Sequence, residues 1–238
     1  MIAGRTVLAV VPARGGSKGI PLKNLRTVGG MPLVALAGEV ACAVPEIDRR
    51  VVSTDHPEIA RVAGEAGLDA PFLRPEHLSG DRIGDFEVLL QALEATEAAD
   101  RRRYDIVVML QPTSPLRTAK HVSATIGMLV DGAWDSVWTL SETDSKGHPL
   151  KQLTIEDGAM DFYDPRAAEI IARQQLRPVF HRNGIAYAMT RECLLEQRTI
   201  KGRRAGAFLV EGAHVSVDTE EDLALIEWLI AREHAGKQ

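Results

Sequence analysis

The chain has 238 residues and a net charge of −5, from 28 Lys and Arg against 33 Asp and Glu. With 45% hydrophobic and 26% charged residues, it has the make-up of one soluble domain with a real core, which excludes disorder, collagen-like repeats and a coiled coil. The acidic total argues against nucleic-acid partners, and no apolar run approaches the roughly 18 to 20 residues of a membrane helix.

The first apolar run, Thr6 to Val11, is ended by Pro12 and predicts a strand buried on both faces. It leads straight into Arg14 and Lys18, unlike a secretory leader with its small-residue cleavage site. Pro32 to Ala43 predicts a helix and Arg50–Ser53 a second strand. A helix follows from Pro57, with Pro57 in its first turn and Gly67 at its C-terminal end. Phe86, Leu89, Leu90 and Leu93 recur at helical spacing. Asp105 to Leu110 reads as another buried strand, Thr118 as the cap of a helix to about Leu129, and Ser136 to Leu140 as a fourth strand. Alternating strands and helices imply right-handed crossovers and a mostly parallel sheet flanked by helices, an α/β class. The rhythm breaks from about 141 to 182, a small extension in which Asp157-Gly158 suits a hairpin turn. It returns with Gly184 to Met189, a strand at Val215–Val217 and a final helix from Glu220 to Arg232. Thr219 and Asp222 resemble a capping box for that helix. The whole chain, 1–238, reads as one domain. Cys42 and Cys193 form neither a C-x-x-C pair nor a disulfide framework, so a reduced, cytoplasmic setting is expected.

Charge is unevenly placed. Arg5, Arg14, Lys18, Lys23 and Arg26 all precede the first acidic residue, Glu39, so an anion is handled near the N-terminus. The segment Val11-Pro-Ala-Arg-Gly-Gly-Ser-Lys-Gly-Ile-Pro-Leu-Lys-Asn24 carries three of these cations on a glycine-rich loop just past a strand. Such a loop can turn successive N–H groups onto an anion, and the carboxyl ends of parallel strands are where ligands bind. It is neither a G-x-G-x-x-G nor a Walker A loop.

Those residues carry a resemblance. Ala13 to Ile20 with Pro21-Leu-Lys-Asn24 resembles the signature of the acylneuraminate cytidylyltransferases, the CMP-sialic acid synthetase family. The likeness continues through Val52–Asp55, Leu73-Arg-Pro75, Leu110–Arg117, Arg173–Leu176, Asn183-Gly184 and Val217–Asp222, in order and over nearly the whole chain. It implies a nucleotide-diphosphosugar-transferase-like, Rossmann-like fold and a nucleotidyl transfer. An acidic acceptor, a nonulosonate-type keto acid sugar, attacks the α-phosphorus of CTP, and pyrophosphate leaves with magnesium. By the same resemblance Arg14, Lys18 and Asp218 are catalytic. Ala13, Arg14, Gly15, Gly16, Ser17, Lys18, Lys23, Asn24 and Asp81 bind the nucleotide. Gln111, Arg117, Lys151, Arg173, His181 and Arg182 face the acceptor, and Asp218 is the Mg2+ ligand. The family is commonly dimeric, so a homodimer joined through the extension is expected.

Three blocks depart from the family pattern. Ser216-Val-Asp218 stands for Asp-x-Asp, Asp81-Arg-Ile-Gly-Asp85 for Asp-Thr-Ala-Ser-Ser, and Phe180-His-Arg-Asn-Gly184 for Phe-Arg-Pro-Asn-Gly. The changes fall on the acceptor and metal sides, leaving open a small phosphonate acid such as phosphonoformate, which Arg82 and Arg182 would suit. A non-catalytic nucleotide-binding protein is the reading from another class. Arg101-Arg-Arg103 reads as a solvated helix terminus, and Asp55 as a cap for the helix after it. The histidines show no zinc spacing, Ser53 and Ser114 lack a nucleophile-elbow context, and Trp134, Trp138 and Trp228 suit core or interface rather than nucleic-acid stacking.

Overall fold

Val7–Pro12 alternates side chains between two apolar layers, and the computed structural model, which describes residues 1–235, makes it strand β1 at the middle of a sheet. In chain order there follow β2 (Thr27–Val28), β3 (Met31–Pro32), α1 (Leu33–Cys42), β4 (Arg49–Ser53), α2 (Pro57–Glu65), α3 (Asp85–Asp100), β5 (Ile106–Met109), α4 (Ala119–Asp131), β6 (Ser136–Glu142), β7 (Leu153–Glu156), β8 (Ala159–Phe162), β9 (Phe180–Thr190), α5 (Arg191–Leu195), β10 (Ala205–Leu209) and α6 (Glu220–Ala235). The main sheet has six strands in the order β10-β6-β9-β5-β1-β4. It is parallel except at β9, which runs antiparallel to both β5 and β6.

Val7, Ala9 and Val11 meet α1, α2 and α4 through Val34, Ala37, Ile59, Ala63, Val122 and Ile126. Leu8 and Val10 meet Leu89 and Leu93 of α3 and Leu194 of α5 on the other face. Each fully buried Val, Leu or Ile side chain among these contributes about 1.5–3 kcal/mol, and each Ala less. A third cluster, Ile20, Val28, Leu33, Val217, Leu223 and Ile226, seats α6 on the β2–β3 hairpin. This holds the segment before α6 against the glycine loop.

Several expectations need correcting. Val215–Val217 is not a strand; it makes one cross-chain backbone bond, Val217 N to Thr113 O at 2.8 Å. The strand at this sheet edge is β10. Thr118 does cap α4, and Thr219 and Asp222 exchange the two bonds of a capping box. Asp157 and Gly158 both take left-handed backbone angles between β7 and β8, as a two-residue hairpin turn requires.

Candidate active site

The ends of β1 and β5 open onto one cleft of about 410 Å³, lined by Arg14, Ser17, Lys23, Asn24, Arg74, Asp81, Asp85, Gln111, Thr113, Ser216 and Asp218 among others. Its wall is the glycine loop, and that loop is pinned from below. Ala13 N donates to Ser53 O at 2.9 Å, Gly15 N to Asp55 Oδ1 at 2.8 Å, and Asn24 Nδ2 to Arg14 O at 2.9 Å. Asp55 therefore holds the loop rather than capping α2, whose N-terminus has no side-chain cap. Ser17 N donates to Gly15 O at 3.1 Å. The amides of Gly15 and Ser17 are thus taken, which corrects the backbone-donor role expected of them. Among the described residues those of Gly16, Lys18 and Gly19 have no protein acceptor and can serve an anion.

The N-terminal cations are unopposed only in sequence. In space, Arg14 and Lys18 both pair with Asp81, at 2.7 Å each, and Lys23 pairs with Asp218 at 2.9 Å. Arg26 makes a two-pronged pair with Glu220, and Arg5 lies in a different cleft beside Asp105. Asp81 thus faces the loop cations rather than offering itself to a phosphate. Lys23 Nζ also donates to Val217 O at 2.8 Å. A side chain at Gly19 would come within 2.7 Å of Asp218 O, so the loop packs against the main chain of Asp218.

Gln111 lines the cleft, but Arg117 does not reach it. Its guanidinium is buried and donates to the carbonyls of Gln111, Gly184 and Ile185. Burial pushes its pKa down to about 9, still protonated at neutral pH. The acceptor role expected of Arg117 is replaced by a clamp that shapes the Gln111 loop. Lys151 and Arg173 lie in the extension, outside the cleft formed by this chain. His181 pairs with Thr143 Oγ1 at 3.0 Å, and Arg182 stacks over Trp138; neither lines the cleft, nor does Arg82.

Two residues were missed. Arg74 is buried on the cleft floor and donates to the hydroxyl and carbonyl of Ser53; burial lowers its pKa to about 10, against the opposing charges of Asp55 and Asp85. The block Leu73-Arg-Pro75 contained the signal, but residue type did not show its aim. Asp85 begins α3, and burial raises its carboxyl above the ordinary range, with Arg182 and Arg74 opposing. Ser53 and Ser114 are buried and engaged structurally, which leaves no exposed nucleophile there. No group of three or more His, Cys, Asp or Glu side chains among the described residues could hold a metal.

A glycine loop ringed with cations at the switch between parallel strands defines a nucleotide-handling α/β enzyme. The chain belongs to the cytidylyltransferase family, whose model matches residues 8–236, and it is a CTP-dependent nucleotidyltransferase. It is 30% identical over 236 residues to a CMP-N,N'-diacetyllegionaminic acid synthase of Legionella pneumophila, covering 94% of this chain and 96% of that one. It is 28% identical over 218 residues to an N-acylneuraminate cytidylyltransferase of Streptococcus agalactiae, covering 90% of this chain and 51% of the other. In fold it is similar to a CMP:2-keto-3-deoxy-manno-octonic acid synthetase solved with CTP, with a TM-score of 0.70, 21% identity and coverage of 96% and 99%. Among the described residues no helix is long and apolar enough to cross a membrane.

Proposed function

We propose that this cytidylyltransferase moves CMP from CTP to a nonulosonate-type keto acid sugar. The observation that carries this reading is the loop pinned beside Arg14, Lys18 and Asp218, together with relatives named for sugar acids. The acceptor oxygen attacks the α-phosphorus and pyrophosphate departs. Such a reaction needs in-line positioning and charge neutralisation more than a covalent catalyst. The free amides of Gly16, Lys18 and Gly19, with the Arg14 and Lys18 side chains, receive the triphosphate. Arg74, Asn24 and Gln111 line the remainder of the cleft, where base, sugar and acceptor are held.

Magnesium fits the oxygen donors present. Asp218 gives only Oδ1 to Lys23, among the described residues its Oδ2 accepts no hydrogen bond, and Ser216 lies beside it in the lining. A single carboxylate suits Mg2+ that keeps waters and substrate phosphates as its other ligands. Asp218 would hold it, and the ion would supply neutralising charge at the phosphates.

The partner of this chain is a second copy, in a cytoplasmic enzyme. Leu153 and Ile155 of β7 stand opposite Phe162 and Met160 of β8, forming one apolar face that the chain leaves exposed. A homodimer covers that face and can bring Lys151 and Arg173 to the partner's cleft.

The test is pyrophosphate release from magnesium CTP with N-acetylneuraminate, other nonulosonates, a shorter keto acid sugar and phosphonoformate as acceptors. Turnover with a nonulosonate supports the reading. Turnover with phosphonoformate alone transfers it to the phosphonate class, and CTP binding without any turnover favours a binding protein.

A further inference from the structure

Arg14 and Lys18 converge on one carboxylate at the mouth of the cleft. Arg14 Nη1 donates to Asp81 Oδ1 and Lys18 Nζ pairs with Oδ2, both at 2.7 Å. Among the described residues Asp81 has no other side-chain partner, and it does not cap α3, which begins four residues later. It lies on a loop in reach of solvent, with 40% of its side chain exposed. A carboxylate cannot ligate a polyphosphate; it repels one. It does place negative charge on the two cations that a triphosphate also requires. Hydrogen bonds from Lys18 and then Arg14 hold its carboxyl below the ordinary range, so it is ionised at neutral pH.

We propose that Asp81 is an internal competitor for polyphosphate, trading places with it on Arg14 and Lys18 and so easing the departure of pyrophosphate. The inference rests on the nucleotide reading above. CTP and the pyrophosphate product share these cations, and a cationic loop without a counter-charge would grip both in the ground state. Binding that is equally strong before and after the transition state does not speed chemistry, and a clinging product slows turnover. Exposed ion pairs are individually weak, so Asp81 yields to the incoming triphosphate at small cost. It returns when the leaving group moves off. Asp81 sits beside the phosphate subsite without being a ligand in it.

The experiment is calorimetric titration of the wild type, Asp81→Asn and Asp81→Glu with pyrophosphate and with CTP, magnesium present, at two salt concentrations. Asp81→Asn is expected to bind pyrophosphate roughly 3- to 30-fold more tightly at low salt. CTP affinity should rise in the same direction, and the difference should narrow as salt is added. Asp81→Glu, which keeps the charge, should stay near wild type. A merely structural role gives the opposite sign, because a disordered loop binds less. Equal or weaker pyrophosphate binding by Asp81→Asn, with CTP still bound by the wild type, overturns the proposal alone. A wild type that binds no CTP overturns the nucleotide reading and the proposal with it.

Discussion

The peptide unit between Arg14 and Gly15 is held at both edges, its carbonyl by Asn24 and its N–H by Asp55. The ring of His56 packs where a Gly15 side chain would stand, 3.0 Å away. This one peptide plane sets where the Arg14 side chain leaves the backbone and where the next amides point. Asp55→Ala should raise the KM for CTP about tenfold with a smaller change in kcat, because an orphaned amide costs about 1–3 kcal/mol and loosens the loop. Asp55→Asn, whose amide oxygen still accepts, should recover most of the loss in steady-state assays. An unchanged KM in the alanine variant would mean that the loop holds itself. The loop's place at a strand end was legible, because glycine and charge advertise themselves in sequence. The Asp55 contact was not, since its partner lies 40 residues away and meets it only through the parallel pairing of β1 with β4. Arg117 misled for a related reason: an arginine next to a motif looks like a ligand until its carbonyl partners are seen.

Among elements, α3 and α5 share an apolar layer and are also joined by an ion pair. Glu97 accepts from Arg191 Nε and Nη2 at 2.9 and 3.0 Å and from Tyr104 N at 2.9 Å. Desolvation pushes the Glu97 carboxyl up, but the Arg191 and Tyr104 hydrogen bonds outweigh it and hold the pKa below the ordinary 4.5. A depressed folded pKa means that the unfolded chain binds more protons as the pH drops. The stabilisation is complete above 4.5 and disappears as pH falls through the lower folded value. Glu97→Gln should cost about 1–2 kcal/mol in urea unfolding at neutral pH, and the gap from wild type should close in acid. A gap independent of pH would locate the effect elsewhere. The long elements were legible because Leu89 and Leu93, or Ile106 to Met109, state their burial period plainly. α5 is five residues long and sets no period. β10 alternates half-buried with exposed residues around Gly206, at the sheet edge, so its apolar signal is diluted. The β-branched Val215 and Val217 gave a false strand because they pack under α6 as single contacts. The reversed direction of β9 leaves no trace in hydrophobicity, since either direction buries the same side chains.

On the scale of the whole molecule, the β7–β8 hairpin is a surface without a counterpart. Ile155 is 77% and Met160 75% exposed, opposite one another on the same face. If the homodimer proposed above forms through this face, Ile155→Asp with Met160→Asp should shift it to monomer in light scattering, and should reduce turnover if the partner's cleft draws on Lys151 and Arg173. The same double variant remaining dimeric would place the interface on another face.

The cleft also dictates when in its life the protein becomes competent. Gly19 touches the backbone of Asp218, and Lys23 bonds to Val217 O and Asp218, so segments 194 and 195 positions apart in sequence meet at the cleft. A nascent polypeptide emerging from the ribosome can pair β1 with β4 and β5 long before α6 exists. The cleft is incomplete until α6 has docked on Val28 and Leu33. A loop closed over 195 positions is among the slowest contacts to form, so under the function proposed above substrate capture follows the docking of α6. Under the function proposed above, a bound nucleotide fastens the glycine loop to the segment before α6, because a ligand that requires both favours the state in which they are joined.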